Sequence, residues 1–342
     1  MNILHLPLEF HRWHSAKKFS YPVGVGMIEG IENNDIHHYT IPAMYSGGFW
    51  LDFIKEMVGA IKFDQVWLEV VHSTIPKSIL EWLATVAPIR VGFIVESLTI
   101  NPNEFKDNQA GTQRRVDNLN LKLPYLTHVL VCDGMDLNKF KIPSMLFATS
   151  IPKRLVQAPN TMRGPALFYG TAYGERSLWL DKLAGYVLIN PPSAETYSEL
   201  PYRFEQLFKG SYPISEYPKF FSQWYSARKG VYTIWINYLH NLPCCAMLNL
   251  PHRTQVTSGR IIEGMAAGKP VLSPFLHNEM DGRFVNRKNI LYYENETDLI
   301  ELIKELQRNL DFGNYIAEEA RKNVLENYTT EVLVKRILEL TK

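Results

Sequence analysis

The sequence predicts a two-domain α/β protein in which each domain is built on a parallel sheet. The chain has 342 residues, enough for two domains that each bury a core. Short apolar runs alternate with helical patterns along both halves, as expected when helices cover both faces of a parallel sheet. The segment 158–165, APNTMRGP, is rich in turn-forming residues and separates two strand patterns, so it is the predicted linker.

The elements of the first half follow from apolar periodicity. A polar stretch at 101–113 has no periodicity and is predicted to be a loop. Strands are predicted at 2–6, 36–41, 65–71, 89–95, 128–132 and 145–150, with helices at 49–61 and 76–87.

The second half repeats the same alternation. Strands are predicted at 166–169, 186–190 and 244–250, and another begins at residue 271. Helices are predicted at 178–184, 195–209, 231–239, 257–268, 298–308, 314–326 and 331–340.

The segment 257–274, TSGRIIEGMAAGKPVLSP, is the centre of the functional prediction. It is typical of a helix that starts at Thr257 or Ser258 and runs into a buried strand. Unpaired backbone N–H groups at a helix start suit a diphosphate, and a carboxylate can accept two hydrogen bonds from a ribose diol. Arg260 and Glu263 lie one turn apart and are the candidates. The alternative is a surface Arg/Glu pair on an ordinary helix.

This segment and the two that follow it, NRKNILYYENETDLIELIKEL and ARKNVLENYTTEVLVKRIL, resemble the C-terminal half of GT-B glycosyltransferases, closest to the family 4-like and CgeB-like group. The resemblance implies two Rossmann-like domains facing each other across a cleft. It implies an acceptor domain at 1–157, a donor domain at 158–328 that binds a nucleotide sugar, and a C-terminal helix at 329–342 that packs back on the first domain.

The resemblance also implies the donor-site residues. The segment FYGTAYGERS resembles a family element whose basic residue contacts the donor pyrophosphate, and that residue is Arg176 here; the alternative is a solvated helix residue. The implied donor-binding set is Gly170, Thr171, Arg176, Ser258, Gly259, Arg260 and Glu263.

One family feature is missing from the sequence. Retaining family 4 enzymes commonly carry two glutamates separated by seven residues, and with Glu263 as the second the first position is Gln255 here. A neutral amide can bind a sugar but cannot accept a proton, so the stereochemical outcome stays open. The loop HNEMDGRF would bring Asn278 and Glu279 to the sugar, and a plain surface turn is the alternative.

Two residues of the first half are candidates for catalysis. His72 and Glu96 each follow a predicted strand, and ligands of open α/β sheets bind beyond the carboxyl ends of strands. Either residue can act as general base on an acceptor hydroxyl. The alternatives are a loop or capping role for His72 and pairing with a nearby arginine for Glu96.

Composition excludes several classes of protein. The net charge is +1, from 36 basic and 35 acidic residues, which argues against non-specific nucleic-acid binding. No apolar run approaches the roughly 20 residues that span a bilayer. The N-terminus is typical of a first strand, not of a signal peptide. Three cysteines without metal-ligand spacing indicate a reduced, cytoplasmic protein with no structural zinc. No cofactor besides the nucleotide sugar is expected, and no metal is expected because arginines and helix amides can supply the charge and the sequence has no Asp-x-Asp pair.

The predicted function is therefore metal-independent transfer of a sugar from a nucleotide-diphosphate sugar to an acceptor hydroxyl. The acceptor, the base and the sugar are not predicted. Two alternatives remain at this point: a sugar-nucleotide epimerase of the same fold, and a catalytically silent module that binds a nucleotide or glycan.

Overall fold

The computed structural model divides the chain into two compact units. The first unit contains residues 1–147, 195–232 and 334–342, and the second contains 148–194 and 233–333. The structure describes residues 1–9, 22–44, 51–99, 106–170, 175–189, 203, 206–251, 257–276 and 282–342. None of the helices in these ranges is both long enough and apolar enough to cross a membrane.

A six-stranded parallel sheet forms the centre of the first unit. Its strand order is β3-β1-β5-β6-β7-β8, and a short parallel pair, β2 and β4, accompanies it. This order reverses direction beside β1, as in doubly wound folds. The strands are β1 Asn2–Leu6, β2 Leu8–Glu9, β3 His37–Thr40, β4 Ala43–Met44, β5 Gln65–Glu69, β6 Ile89–Ile94, β7 His128–Val131 and β8 Ser144–Leu146.

Helices pack on this sheet through apolar faces. The core includes Leu68 and Val129 from the strands and Leu83 from a helix, all almost fully buried. In β6, a Cβ on Gly92 would lie 2.6 Å from Leu126 Cδ1, so a larger residue there would displace the Leu126 side chain. The helices are α1 Pro22–Glu32, α2 Leu51–Val58, α3 Lys77–Val86, α4 Lys106–Lys122, most of α6 Tyr217–Asn241 and the end of α10 Thr330–Leu340.

The prediction of a loop over 101–113 is wrong from residue 106 onward, where α4 begins. Its sequence is KDNQAGTQRRVDNLNLK, with few apolar residues to show a helical period. The face of α4 that packs inward instead carries buried polar groups, among them Thr112 and Lys122. A search for apolar periodicity therefore cannot find this helix.

The second unit is built on a five-stranded parallel sheet of order β10-β9-β11-β12-β13. This order also reverses beside its first strand in sequence, so the carboxyl ends of β9 and β11 flank the switch point. The strands are β9 Ala166–Phe168, β10 Val187–Ile189, β11 Ala246–Leu248, β12 Val271–Ser273 and β13 Leu291–Tyr292.

Well-capped helices cover the second sheet. The side chain of Asn295 accepts a hydrogen bond from the Asp298 amide at 3.0 Å, which caps α8. Asn309 caps α9 in the same way, through the Phe312 amide at 3.0 Å. The helices are α5 Glu175–Lys182, α7 Gly259–Ala266, α8 Glu296–Arg308 and α9 Leu310–Asn327.

The composition of the units differs from the predicted domains. Residues 195–232 belong to the first unit, although the sequence analysis assigned 158–328 to one donor domain. The reason is packing: Phe208, Phe220 and Trp224 belong to the hydrophobic cluster that contains Leu68 of β5. An amphipathic helix pattern does not specify the sheet on which the helix packs.

Candidate functional site

Asn249, the residue that follows β11, is the hub of a polar cluster at the carboxyl edge of the second sheet. Its side-chain oxygen accepts from Ser258 Oγ at 3.1 Å and from Arg260 Nη1 at 3.0 Å. Its side-chain nitrogen donates to Ser273 Oγ at 3.0 Å. Its carbonyl accepts from the Tyr293 hydroxyl at 2.7 Å. The start of α7 is thus tied to the ends of β11, β12 and β13.

Glu263, one turn inside α7, is a buried carboxylate held by aromatic donors. Glu263 is only 6% exposed to solvent. Glu263 Oε2 accepts from the Tyr169 hydroxyl and from Trp235 Nε1, the latter at 3.3 Å. The rings of Tyr169 and Trp235 also meet edge to face, with centroids 5.0 Å apart. Burial, and then the nearby carboxylate, raise the pKa of Tyr169 well above its usual value.

The guanidinium of Arg260 lies across the end of β9. Its Nε donates to the Tyr169 carbonyl at 2.7 Å, and its Cζ lies 4.8 Å from the Phe168 ring centroid. Gly170 has φ +127°, and a Cβ there would lie 2.5 Å from Arg260 Nη2. Gly170 therefore lets the strand end approach the arginine.

The start of α7 differs in one detail from its prediction. Ser258 precedes the helix with extended backbone, but its side chain makes no capping hydrogen bond. The Ser258 hydroxyl instead donates to Asn249. Gly259 lies against Thr149, whose Cγ2 would be 3.5 Å from an added Cβ.

Arg176 belongs to the same edge of the sheet. It is almost fully buried in the first turn of α5, and its Nε donates to the Pro251 carbonyl at 3.0 Å. This bond ties α5 to the segment after β11. The alternative of a solvated helix residue is therefore wrong.

The structure thus brings together Gly170, Arg176, Ser258, Gly259, Arg260 and Glu263 at one edge of the second sheet. The predicted residues Thr171, Gln255, Asn278 and Glu279 lie outside the described residues. Tyr169 and Asn249 were not predicted as site residues, although Tyr169 ends the predicted strand 166–169 and Asn249 is the next-to-last residue of the predicted strand 244–250. The indole N–H of Trp235, which donates to Glu263, gives no signal of its partner in the sequence.

A second polar cluster lies at the carboxyl edge of the first sheet and unites the two catalytic candidates. His72 Nε2 lies 3.6 Å from Glu96 Oε1. His72 Nδ1 lies 3.5 Å from Glu69 Oε1, so a carboxylate faces each ring nitrogen. The side chain of His72 is 11% exposed and that of Glu96 is 38% exposed. In the pair formed by His72 and Glu96, the Glu96 carboxylate is therefore the more exposed group and the His72 imidazole lies behind it.

Arg115 of α4 completes this cluster. Its Nη1 lies 3.0 Å from Glu96 Oε2, and its Nη2 donates to Thr112 Oγ1 at 2.8 Å and to the Ser97 carbonyl at 3.2 Å. The predicted alternative for Glu96, pairing with a nearby arginine, is therefore present as well. The two functions are compatible, because a carboxylate has two oxygens and the other one faces His72.

Neither cluster has the ligand set of a metal site. Within the described ranges, no group of three or more His, Cys, Asp or Glu side chains is arranged to hold a metal ion. The charge available to bind an anion at the second sheet comes from Arg176, Arg260 and the helix start.

Comparison of the sequence with family models gives one finding. Residues 196–339 match the family described as "Glycosyl transferase-like". No curated protein sequence matches the chain.

Solved structures with the same fold cover almost the whole chain. HepE from Anabaena, solved with UDP-glucose, is 12% identical over 100% of this chain and 99% of its own, with a TM-score of 0.54. Sucrose-phosphate synthase from Thermosynechococcus elongatus is 10% identical over 100% and 98%, with a TM-score of 0.60.

A third similar structure is an alpha-glucosyltransferase solved with UDP and a 13-mer DNA. It is 12% identical, covers 100% of both chains and has a TM-score of 0.59. These likenesses confirm the predicted fold of two Rossmann-like sheets. The finer likeness to the CgeB-like group stays a prediction. Residues 196–339 thus match a glycosyl transferase-like family, and the chain as a whole has the fold of these solved structures.

Proposed function

We propose that the protein transfers a sugar from a uridine-diphosphate sugar to a hydroxyl group of an acceptor. The observation that carries this proposal is the cluster around Asn249, Arg260 and Glu263 at the switch point of the second sheet, where doubly wound folds bind nucleotides. UDP or UDP-glucose is bound in two of the similar structures, which supports the choice of donor.

The donor is held by the second unit in this proposal. Glu263 accepts hydrogen bonds from the ribose hydroxyls. A carboxylate has about four acceptor positions, so its bonds to Tyr169 and Trp235 leave acceptor capacity for the ribose. Arg176 and the amides after Ser258 bind the diphosphate. The predicted sugar contacts of Gln255, Asn278 and Glu279 belong to the same proposal.

The role that we propose for Arg260 is broader than the predicted binding of the diphosphate. Its guanidinium is engaged by the Tyr169 carbonyl, by Asn249 and by the Phe168 ring. We assign it two tasks: it orders the ends of β9 and β11, and it contributes positive charge near the diphosphate.

His72 acts on the acceptor in the first unit. Because one Glu96 oxygen is engaged by Arg115, we assign the proton to the imidazole, the commonest general base. His72 Nε2 takes the proton of the acceptor hydroxyl, and Glu96 stabilises the imidazolium that forms. The acceptor oxygen forms a bond to the anomeric carbon, the bond from that carbon to the diphosphate breaks, and the nucleoside diphosphate leaves with the bonding electrons.

Metal independence and a cytoplasmic location are part of the proposal. Arginine side chains and helix amides supply the charge that a metal ion supplies in other transferases. Activity that survives chelation with EDTA supports this, and activity restored only by a divalent cation contradicts it. All three cysteines are free and buried, as in proteins of reducing compartments.

The function is tested with a panel of UDP-, GDP-, ADP- and TDP-sugars. Slow hydrolysis of one donor, followed by product release, supports a transferase and identifies the base and sugar. A change at the sugar C2 without loss of the nucleotide shows an epimerase instead. Binding of a nucleotide without any turnover shows a catalytically silent module.

The donor site is tested by Glu263→Ala. Unpaired hydrogen bonds of the ribose and of Trp235 lower donor affinity by about 1–3 kcal/mol, roughly 5- to 150-fold. The matched control is Glu301→Ala, at an exposed position of α8 in the same unit. Equal affinity of both variants, measured by calorimetric titration with UDP, removes Glu263 from the donor site.

A further inference from the structure

The loop 70–73, which carries His72, has its backbone fixed from both sides. On the N–H side, the carboxylate of Glu69 accepts from three successive amides: Val71 at 2.8 Å, His72 at 2.7 Å and Ser73 at 2.7 Å. The hydroxyl of Ser73 donates back to the Glu69 carbonyl at 2.6 Å. A single buried side chain therefore determines the direction of every one of these N–H groups.

On the carbonyl side, α4 supplies the donors. Lys122 Nζ donates to the Val70 carbonyl at 2.7 Å and also to that of Ser73. Asn118 Nδ2 donates to the Val71 carbonyl at 3.0 Å and to that of Ser73 at 3.1 Å. Asn118 and Lys122 are four residues apart, so they share one face of the helix.

This arrangement carries a desolvation cost that an ordinary connection between a strand and a helix avoids. Surface loops normally satisfy their backbone groups with water. Here a lysine and a glutamate are almost fully buried for the purpose. Burial lowers the pKa of Lys122 to about 8, against the opposing effect of the Glu69 charge. Such desolvation is offset only when the polar groups are well paired, as they are around this loop.

We infer that Glu69, Asn118 and Lys122 are positioning residues that hold His72 for proton transfer. The inference rests on the proposed function of His72. Glu69 acts in two ways, because its carboxylate fixes the loop and also faces His72 Nδ1 at 3.5 Å. Asn118 and Lys122 make no contact with the reacting atoms and act through the loop.

The inference is tested by Lys122→Met and Asn118→Ala in the full-length protein. Both variants remove donors to the loop, and the alanine variant covers the case in which the methionine variant does not fold. A displaced base lowers kcat by about 10- to 100-fold. The KM for the nucleotide sugar stays within about twofold of wild type, because the donor-binding residues belong to the second unit.

The matched control is Lys269→Met. Lys269 is also a fully buried lysine, and its Nζ donates to the carbonyls of Asn160 and Leu242 in the second unit. This variant loses stability for the same reason as Lys122→Met. Its kcat per folded molecule stays at the wild-type value if the effect of Lys122 is specific to His72.

A double variant separates positioning from general loss of structure. In a His72→Ala background, Lys122→Met lowers kcat no further, because the group that it positions is already absent. Independent, multiplicative effects of the two substitutions overturn the inference, as does a kcat of Lys122→Met equal to that of Lys269→Met. Sugar transfer with unchanged kcat in His72→Ala overturns the role of His72 but leaves the donor proposal intact.

Discussion

The hydroxyl of Tyr169 donates a hydrogen bond to the buried side chain of Glu263. We therefore expect this hydroxyl to contribute more to the free energy of unfolding than an average tyrosine hydroxyl. Tyr169→Phe removes a hydrogen bond to a charged acceptor and should destabilise the protein by about 1.5–3 kcal/mol. Tyr293→Phe is the matched control in the same unit, since its hydroxyl donates to the neutral carbonyl of Asn249. Its cost should be about 0.5–1.5 kcal/mol. Urea denaturation measures both, and equal costs contradict a stronger hydrogen bond from Tyr169 to Glu263 than from Tyr293 to Asn249.

Lys122 gives the stability of the first unit a definite dependence on pH. Burial lowers the pKa of Lys122 from 10.5 to about 8, so between these values the folded protein binds fewer protons than the unfolded chain. The free energy of unfolding contributed by this group therefore rises with pH across that window, by at most about 3 kcal/mol. Neutral lysine keeps two N–H donors, which match its two carbonyl partners.

The measurement is the difference in unfolding free energy between wild type and Lys122→Met at a series of pH values from 7 to 10. Groups common to both proteins cancel in the difference. The unfolding free energy of wild type should increase relative to that of Lys122→Met as pH rises above about 8. A difference that stays flat, or that falls with pH, shows that Lys122 keeps an ordinary pKa in the folded state.

At the scale of elements, apolar runs predicted every strand of the two main sheets except β13, because parallel strands are short, continuous and apolar. β13 has only two residues, too few to show as an apolar run. The apolar pattern also failed for α4, whose buried face carries few apolar residues and binds a loop through the polar side chains of Asn118 and Lys122. Glu69 was not predicted as a functional residue for a similar reason. In the sequence it is simply the end of the strand β5, and its bonds to the amides of the following loop appear only in the structure. Clusters of this kind depend on contacts between distant segments, and no local pattern encodes them.

Helix α7 lies so close to the sheet that the size of one residue decides its fit. A Cβ on Gly264 would lie 2.7 Å from Met247 Cγ of β11. Gly264→Ala should therefore destabilise the protein by about 1–3 kcal/mol through overpacking. The control is Gly230→Ala in α6, where nothing lies within 4 Å and alanine should stabilise by about 0.5–1 kcal/mol. Opposite shifts of the melting temperature are expected, and a stabilising Gly264→Ala contradicts the close packing.

At the scale of the whole molecule, the sequence predicted the fold class and the match to glycosyltransferases but not the path of the chain between the units. The linker at 158–165 was recognisable from its turn-forming residues. The assignment of 195–232 to the first unit was not, since it depends on which apolar surface those helical residues cover. The second unit likewise consists of two separate segments, 148–194 and 233–333.

This division predicts that the first 157 residues do not fold by themselves. A fragment 1–157 lacks Phe208, Phe220 and Trp224, which complete the cluster around Phe53 and Leu68. Removal of one large buried aromatic side chain costs about 3–5 kcal/mol, so the loss of three, about 9–15 kcal/mol, is comparable to the whole stability of a typical domain, about 5–15 kcal/mol.

The fragment should therefore show no cooperative urea transition by circular dichroism. Joining residues 206–232 to it through a flexible linker restores the missing aromatics and should restore a cooperative transition. Full-length Trp224→Ala should stay folded with a lowered midpoint, because it loses one of the three side chains. If fragment 1–157 alone unfolds cooperatively, the later segment covers the first sheet without being needed for its core, and residues 1–157 form a domain as the sequence predicted.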